Sequence, residues 1–570
     1  MLNSIRTFLQ NAIKGNMATA TEEKIVHRVK VQNLPIKETP QVKRFLNSHG
    51  ILKYKKAPQW TYAYINFESE QAAKEAMTTL NGVSFKKRIL STEYTPISEE
   101  IFRQRFRPQP KRPEVSSLPN TTPPLSASDN KTFAEQLADQ VTPLYKVPYE
   151  DQVAKKHKLG VRQIRNLRKK LLPLADLSEE RKAQLAWIYE NVEEPPCQVL
   201  DPIASPDIEG YRTKCEFSIG KDPSGKPTVG FLQGLYRDGL TSVLEPSASI
   251  HVPQISKQIA KTMEQYIQSS DYPVYDRVLK TGVWRSLMVK AQHTGDVMVL
   301  IQLRTSELSE DQLQKEKKKL VDYWCNNNNN SNDDDAGRKI KTLILQQWDG
   351  DSNGIRDQGK TEILAGDGYV YEQLLDHRFR ISSKAFFQVN TKATEQMLRT
   401  CADWCTTNEN MQPRKTTLLD LCCGAGSIGI TMAHLMDRVV GIEMISEAID
   451  DARFNAELNN ITNAHYYAGK VEEKIHVVTN EQNENVVAVL DPPRSGVHNN
   501  VIRAVREASQ IKKVVFISCD AKQAMQNFIG LCRPTSNRYQ GIPFKPQRAV
   551  TIDLFPHTDH AELMIEFVRA

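Results

Sequence analysis

From about residue 380 onward the chain repeats one pattern: a short apolar run closed by a polar residue, a turn, then a helical stretch. TTLLDL closes at Asp420, VVGIE at Glu443, VVAVLD at Asp491, and KKVVFIS at Ser518 with Cys519 beyond it. Regular alternation of strands and helices builds a doubly wound α/β sheet, and runs apolar throughout are strands buried on both faces. Such sheets bind their ligands outside the carboxyl ends of the strands, where these polar residues fall.

The first strand runs into a turn bearing Gly424 and Gly426 before a helical start. Glycine lets the backbone approach a ligand closely. Glu443 closes the second strand 17 residues after Gly426, and a carboxylate there can bind both ribose hydroxyls of an adenosyl cofactor. The turn lacks the third glycine of a pyrophosphate fingerprint, which S-adenosylmethionine does not need and a nicotinamide dinucleotide does. Asp491 is followed by Pro492, Pro493 and Arg494. Enzymes that methylate exocyclic amines place an aromatic residue after a related D/N-P-P motif to stack on the target, so Arg494 weakens that reading.

The nine cysteines show no C-x-x-C pair and no regular framework, which argues against zinc, an iron–sulfur cluster or a secreted disulfide scaffold. Cys519 stands out because it lies at a strand end near a helix N-terminus, where the helix dipole is expected to lower a thiol's pKa. Carbon 5 of uracil is a poor nucleophile until something adds to carbon 6. A methyltransferase acting there therefore needs a thiolate, and then a base to take the carbon-5 proton. The run DLFPHTDHAELMIEFVRA supplies His557, His560 and Glu562 before an apolar strand, and chemistry alone does not choose among them.

The remainder reads as separate modules. Residues 25–97 follow a β-α-β-β-α-β pattern resembling the RNA recognition motif (RRM), with Tyr62, Tyr64 and Phe67 of WTYAYINF expected as a base-stacking platform. Lys30 and Trp60-Thr61 depart from that motif, and a small domain of this fold that binds protein or merely packs is the alternative. Residues 98–140 are proline-rich and read as a linker, and the polar tract near 326–336 reads as a disordered surface insertion. Residues 141–379 are read as a basic helical segment followed by a central RNA-binding α+β domain. Between Asp151 and Asp176 lie eight Lys or Arg and no acid. Arg162 and Arg165 there, and Arg212 beside a central strand, are candidates for phosphate contacts. No apolar run approaches the roughly 20 residues of a membrane helix. The acid-free first 21 residues resemble a weak mitochondrial presequence, with Met17 as a second possible start.

The ordered set FFQVN (386–390), DLCCGAGSIG, DPPRSG, ISCDAKQAM and DLFPHTDHAE resembles the RNA uracil-C5 methyltransferases. The resemblance implies Cys519 as nucleophile and Glu562 as base. It also implies Gln388, Glu443 and Asp491 as cofactor contacts, with Cys422 and the Gly424–Gly426 turn beside the methionine moiety. An RRM ahead of such a unit is similar to the eukaryotic branch that makes 5-methyluridine in the tRNA T loop. The expectation is an α/β protein: a Rossmann-like S-adenosylmethionine-dependent methyltransferase domain over 380–570, a central α+β domain and an N-terminal RRM-like domain. It would act on tRNA as a monomer, without metal or membrane, in cytosol or nucleus with a possible mitochondrial form. An RNA cytosine-C5 methyltransferase and a non-catalytic tRNA-folding factor are the competing readings.

Overall fold

The first strand, β1 (Ile25–Gln32), is followed by α1 (Thr39–Ser48), β2 (Ala63–Phe67), α2 (Glu70–Leu80) and β3 (Ser91–Tyr94). The computed structural model describes residues 25–98 and 131–569, apart from 36–38, 52–53, 55–60, 68, 87, 177, 235–240, 327–339, 357, 408–414 and 476–484. The presequence-like segment, most of the proline-rich linker and nearly all of the asparagine-rich tract lie outside the described residues. The chain divides into two compact units, Met1–Thr122 and Pro123–Ala570.

In the first unit β1 lies between β2 and β3, antiparallel to both. Its alternation sends Val29 and Val31 into the core with Ala63 and Ile65, leaving Arg28 and Lys30 on the opposite face with Tyr62 and Tyr64. Phe67 departs from the expected platform. Strand parity puts it on the core side, where it packs against the apolar cluster.

The second unit begins with α3 (Phe133–Val141), inside the stretch expected to be linker. Thr132 and Glu135 close a capping box on it, and Leu137 and Ala138 are buried, so nine residues of polar-looking chain become a docked helix. Next comes α4 (Tyr149–Ala175), which carries the basic run, and a short strand, β4 (Gln198–Val199).

The central region holds β5 (Lys214–Lys221), β6 (Pro227–Leu232), β7 (Val243–Leu244), α5 (Gln254–Gln268), β8 (Trp284–Ala291), β9 (Val297–Leu303), α6 (Glu310–Val321), β10 (Ile340–Gln347) and β11 (Lys360–Gly366). These strands form one seven-stranded sheet ordered β7-β6-β5-β8-β9-β10-β11, with α5 and α6 packed on its apolar core. A hairpin of β12 (Tyr369–Leu374) and β13 (His377–Ser382) follows.

The rest runs α7 (Thr391–Thr406), β14 (Thr416–Leu421), α8 (Ser427–Met432), β15 (Arg438–Glu443), α9 (Ser446–Leu458), β16 (Ala464–Ala468), β17 (Asn485–Leu490), α10 (Asn499–Glu507), β18 (Ile511–Ser518), α11 (Ala521–Cys532), β19 (Phe544–Ile552) and β20 (Glu562–Arg569). The eight-stranded sheet is ordered β16-β15-β14-β17-β18-β20-β19-β4. Strands β16 to β18 are parallel as expected, and β20 inserts antiparallel between β18 and β19.

Two expectations about the middle of the chain change. The basic helix α4 does not belong to the central region: Ile164, Leu167, Leu171 and Ala175 join the core of the eight-stranded sheet with Leu419, Phe516 and Phe528. Burying each large aliphatic side chain there is worth roughly 1.5–3 kcal/mol. Strand β4, from before the central region, also pairs with β19. The eight-stranded sheet is thus built from both sides of the central region. Among the described residues no helix is long and apolar enough to cross a membrane, and no group of three or more His, Cys, Asp or Glu could hold a metal ion.

Candidate active site

Strand β14 delivers the chain into the turn before α8. Cys422 sits there at φ +65°, Gly424 at +54° and Gly426 at +82°. A left-handed non-glycine residue costs on the order of 1–3 kcal/mol and persists where its surroundings hold it. Here the N–H of Cys422 donates to the Ile442 carbonyl at 2.9 Å. A Cβ on Gly426 would come within 2.9 Å of the Tyr466 hydroxyl, whereas one on Gly424 would meet nothing within 4 Å. The second glycine is therefore demanded by packing, and the first lies against open space.

Beneath the turn, Asp420 is fully buried. Its Oδ2 accepts from the Gly429 N–H at 3.0 Å, and its Oδ1 has no hydrogen-bond partner. Burial pushes this carboxyl up to about 7. At the end of β15 the Glu443 carboxylate accepts from the N–H groups of Gly424 (3.3 Å), Met444 (2.7 Å) and Ile445 (3.0 Å). Met444 and Ile445 beside it are 71% and 54% exposed, so uncovered apolar surface flanks an oriented carboxylate. At the end of β17, Asp491 accepts from Gln388 Nε2 at 3.3 Å. Desolvation raises Asp491 to about 6, and the Gln388 hydrogen bond works against it. A carboxylate for ribose hydroxyls, apolar side chains for an adenine face, an open glycine backbone and a second acidic group fit S-adenosylmethionine.

Strand register brings two of the expected residues to one end of the sheet. Ser518 pairs with Leu563 across antiparallel β18 and β20, so Cys519, one residue past the end of β18, and Glu562, the first residue of β20, lie at the same end of the sheet, near enough for the Glu562 charge to act on the thiol. The expected lowering of the Cys519 thiol does not occur. Burial comes first and the charge of Glu562 second in pushing it up to about 11, while Arg494 pulls the other way. The helix end that was to lower it is occupied: Asp520 caps α11 by accepting from the Gln523 N–H at 3.1 Å. Glu562 is 2% exposed, its Oε2 has no partner, and burial holds its carboxyl well above the ordinary range.

Three residues had shared the base role on chemistry alone, and the structure separates them. His557 is buried at φ +66° with Nδ1 3.1 Å from Gln152 Nε2. The His560 residue is exposed, and partial burial of its ring first and Arg494 second lower its pKa. Of the three, only Glu562 is among the charges that act on Cys519. Arg494, noted in the sequence merely for not being aromatic, is a site residue that acts on Cys519, His560 and Glu562 alike.

The RNA-contact candidates divide. Arg162 and Arg165 are exposed on α4. Lys155, Lys158, Arg162, Arg165 and Lys169, spaced three and four residues apart, are all exposed and make one ridge. Two cations of the same run turn inward. Lys156 pairs with Asp553 at 2.7 Å with side chains 1% and 2% exposed, and Arg168 donates to the carbonyls of Glu190, Asn191, Val192 and Glu194. Removing one member of such a buried pair costs on the order of 3–5 kcal/mol. Arg212 is half-buried and folds back on the Lys214 carbonyl at 3.0 Å, while its neighbour Thr213 donates through its N–H to the Val389 carbonyl at 2.8 Å. In the first unit Arg28 lies 3.6 Å from the Tyr64 ring centroid and Lys30 5.1 Å from that of Tyr62. The tyrosine faces thus already carry cations.

The sequence profile described as tRNA (Uracil-5-)-methyltransferase matches residues 317–569. The mouse protein named tRNA (uracil-5-)-methyltransferase homolog A is 33% identical over 555 residues, which cover 95% of this chain and 84% of that one. Human homolog B is 32% identical over 457 residues, covering 79% of this chain and 86% of its own. In fold the chain is similar to the Pyrococcus abyssi tRNA (uracil-54, C5)-methyltransferase crystallised with S-adenosyl-L-homocysteine, with a TM-score of 0.50 and 19% identity over 75% of this chain and 85% of that one. Sheet, turn and strand-end acids define an S-adenosylmethionine-dependent methyltransferase. With relatives aligned over nearly its whole length, the chain belongs to the tRNA (uracil-5-)-methyltransferase family.

Proposed function

We propose that this enzyme methylates carbon 5 of a T-loop uridine in tRNA through a covalent adduct on Cys519, with Glu562 as the base that completes the reaction. The observation that carries the reading is that paired strands β18 and β20 bring Cys519 and the buried Glu562 to one end of the sheet, where the Glu562 charge acts on the thiol. The names of the mouse and human relatives support tRNA uracil as the target, and that of the Pyrococcus abyssi protein supports position 54.

Cys519 gives its proton to water at the half-exposed mouth of the site, and Arg494 is the cation that favours the resulting thiolate. The thiolate adds to carbon 6, and the C5=C6 π electrons move onto the carbon-4 carbonyl as an enolate. Gln388, Glu443, Asp491, Cys422 and the backbone from Gly424 to Gly426 would hold S-adenosylmethionine, which would supply the electrophilic methyl group for carbon 5, with the neutral thioether as leaving group. Glu562, ionised, removes the carbon-5 proton; the C–H electrons restore C5=C6 and expel Cys519 as thiolate. The exposed ridge of α4 with Arg162 and Arg165 tracks tRNA phosphates, Arg212 lies near the site through Thr213, and Tyr62 and Tyr64 offer a cation-backed face to unpaired bases.

The test is tRNA carrying 5-fluorouridine, in which fluorine replaces the proton Glu562 removes. Wild-type protein forms a stable covalent complex and Cys519→Ala forms none. Absence of the wild-type complex overturns the mechanism.

A further inference from the structure

The segment between β19 and β20, residues 553–561, delivers Glu562 to the site, and its backbone is held from several distant places. Four successive carbonyls each accept from a different part of the chain. Leu554 accepts from Asn390 Nδ2 (3.2 Å), Phe555 from Lys156 Nζ (2.9 Å), Pro556 from Tyr211 Oη (3.1 Å) and His557 from the Leu144 N–H (3.0 Å). Gln152 does most. Fully buried on the inner face of α4, it donates to the carbonyls of Leu144 (3.1 Å) and Val147 (2.8 Å). Its Nε2 also lies 3.1 Å from His557 Nδ1, and its Oε1 accepts from the His557 N–H at 2.8 Å. His557 is left-handed at φ +66°, a conformation that a histidine keeps when both its backbone and its ring are held. On the outer face Lys155 pairs with Asp559 at 2.8 Å. At Gly160 the helix approaches so closely that a Cβ would lie 2.2 Å from Thr551 Oγ1 on β19.

We propose that Gln152, with Lys156 and Tyr211, forms a positioning clamp for the catalytic base: by fixing the 553–557 backbone these residues set the Glu562 carboxyl against the carbon-5 proton. None of them lies within the residues matched by the family profile, 317–569. The inference rests on the reading of Glu562 as the base. A base displaced by a fraction of an ångström still permits Cys519 addition and methyl transfer but slows proton removal. The carbon-6 adduct then outlives its normal span.

Lys156→Met would leave Asp553 an uncompensated buried charge, so the variants are Gln152→Leu and Tyr211→Phe, the latter deleting one hydroxyl. In the full chain with S-adenosylmethionine and ordinary, unfluorinated tRNA, Gln152→Leu is expected to lower kcat about tenfold or more and to accumulate covalent protein–tRNA adduct at steady state. The Kd for tRNA stays within about twofold of wild type, as positioning without a binding contact requires. Tyr211→Phe moves the same way to a smaller extent and decides the matter if Gln152→Leu does not fold. Unchanged kcat in both, or lower kcat without adduct, overturns the clamp. Glu562→Gln is run alongside. If it accumulates no adduct on ordinary tRNA, the base assignment itself falls, whatever the clamp variants do.

Discussion

Gln388 and Asp491, 103 residues apart in sequence, meet at 3.3 Å and tie the segment entering α7 to the end of β17. Desolvation lifts Asp491 to about 6, and this hydrogen bond restrains the rise. Gln388→Leu should let Asp491 climb further and lose an oriented donor. Binding of S-adenosylhomocysteine, measured by calorimetry, is expected to weaken roughly tenfold, the weight of one hydrogen bond to a charged group. The acid limb of binding moves to higher pH in the same variant.

Arg494 is the cation that opposes the upward push on the Cys519 thiol. Arg494→Met therefore raises that thiol further and lowers the thiolate fraction at any given pH. Alkylation of Cys519 by iodoacetamide at pH 8, followed by peptide mass spectrometry, is expected to slow several-fold, and Arg494→Lys to retain most of the wild-type rate.

The buried Asp420 titrates near 7 in the folded chain, above its ordinary value. A carboxyl raised on folding contributes stability that is fully present below about pH 4 and is lost as pH rises through about 7. Asp491 and Glu562 shift in the same direction, so Tm of the cofactor-free protein should fall from pH 5 to pH 8. Asp420→Asn keeps an acceptor for the Gly429 N–H and should shrink that fall, with its gain in Tm at pH 8 and little at pH 4.

Lys158, Arg162 and Lys169 lie on the exposed ridge of α4. Changing all three to Gln should weaken tRNA binding and reduce the slope of log K against log salt by about two to three, since each phosphate contact contributes roughly 0.7–0.9. Affinity for S-adenosylhomocysteine should not change. A lost affinity with an unaltered salt slope would show that the ridge is not the phosphate track.

Much of the catalytic sheet was legible because four of its parallel strands, β14, β15, β17 and β18, are apolar runs closed by a polar residue. The turn and the strand-end acids followed from spacing. The partners of α4 did not, because an amphipathic stripe reveals that a helix is buried and not what covers it. Lys156 and Arg168 look like Lys158 and Arg162 in the sequence, yet two face a protein interior and two face solvent. The Cys519 thiol was misjudged for a related reason. Its pKa is set first by burial and then by Glu562 and Arg494, and the fold rather than the local sequence brings those two to it. Phe67 was a matter of parity, one residue out of step with Tyr62 and Tyr64.

The pairing of Lys156 with Asp553 spans 397 residues. At roughly 5–20 residues per second of synthesis, α4 emerges about 20 to 80 s before the aspartate that neutralises its lysine. During that interval the helix carries an uncovered apolar stripe and a cation destined for the interior. The core around α4 therefore closes only when Leu563, Ile565 and Phe567 of the last strand arrive.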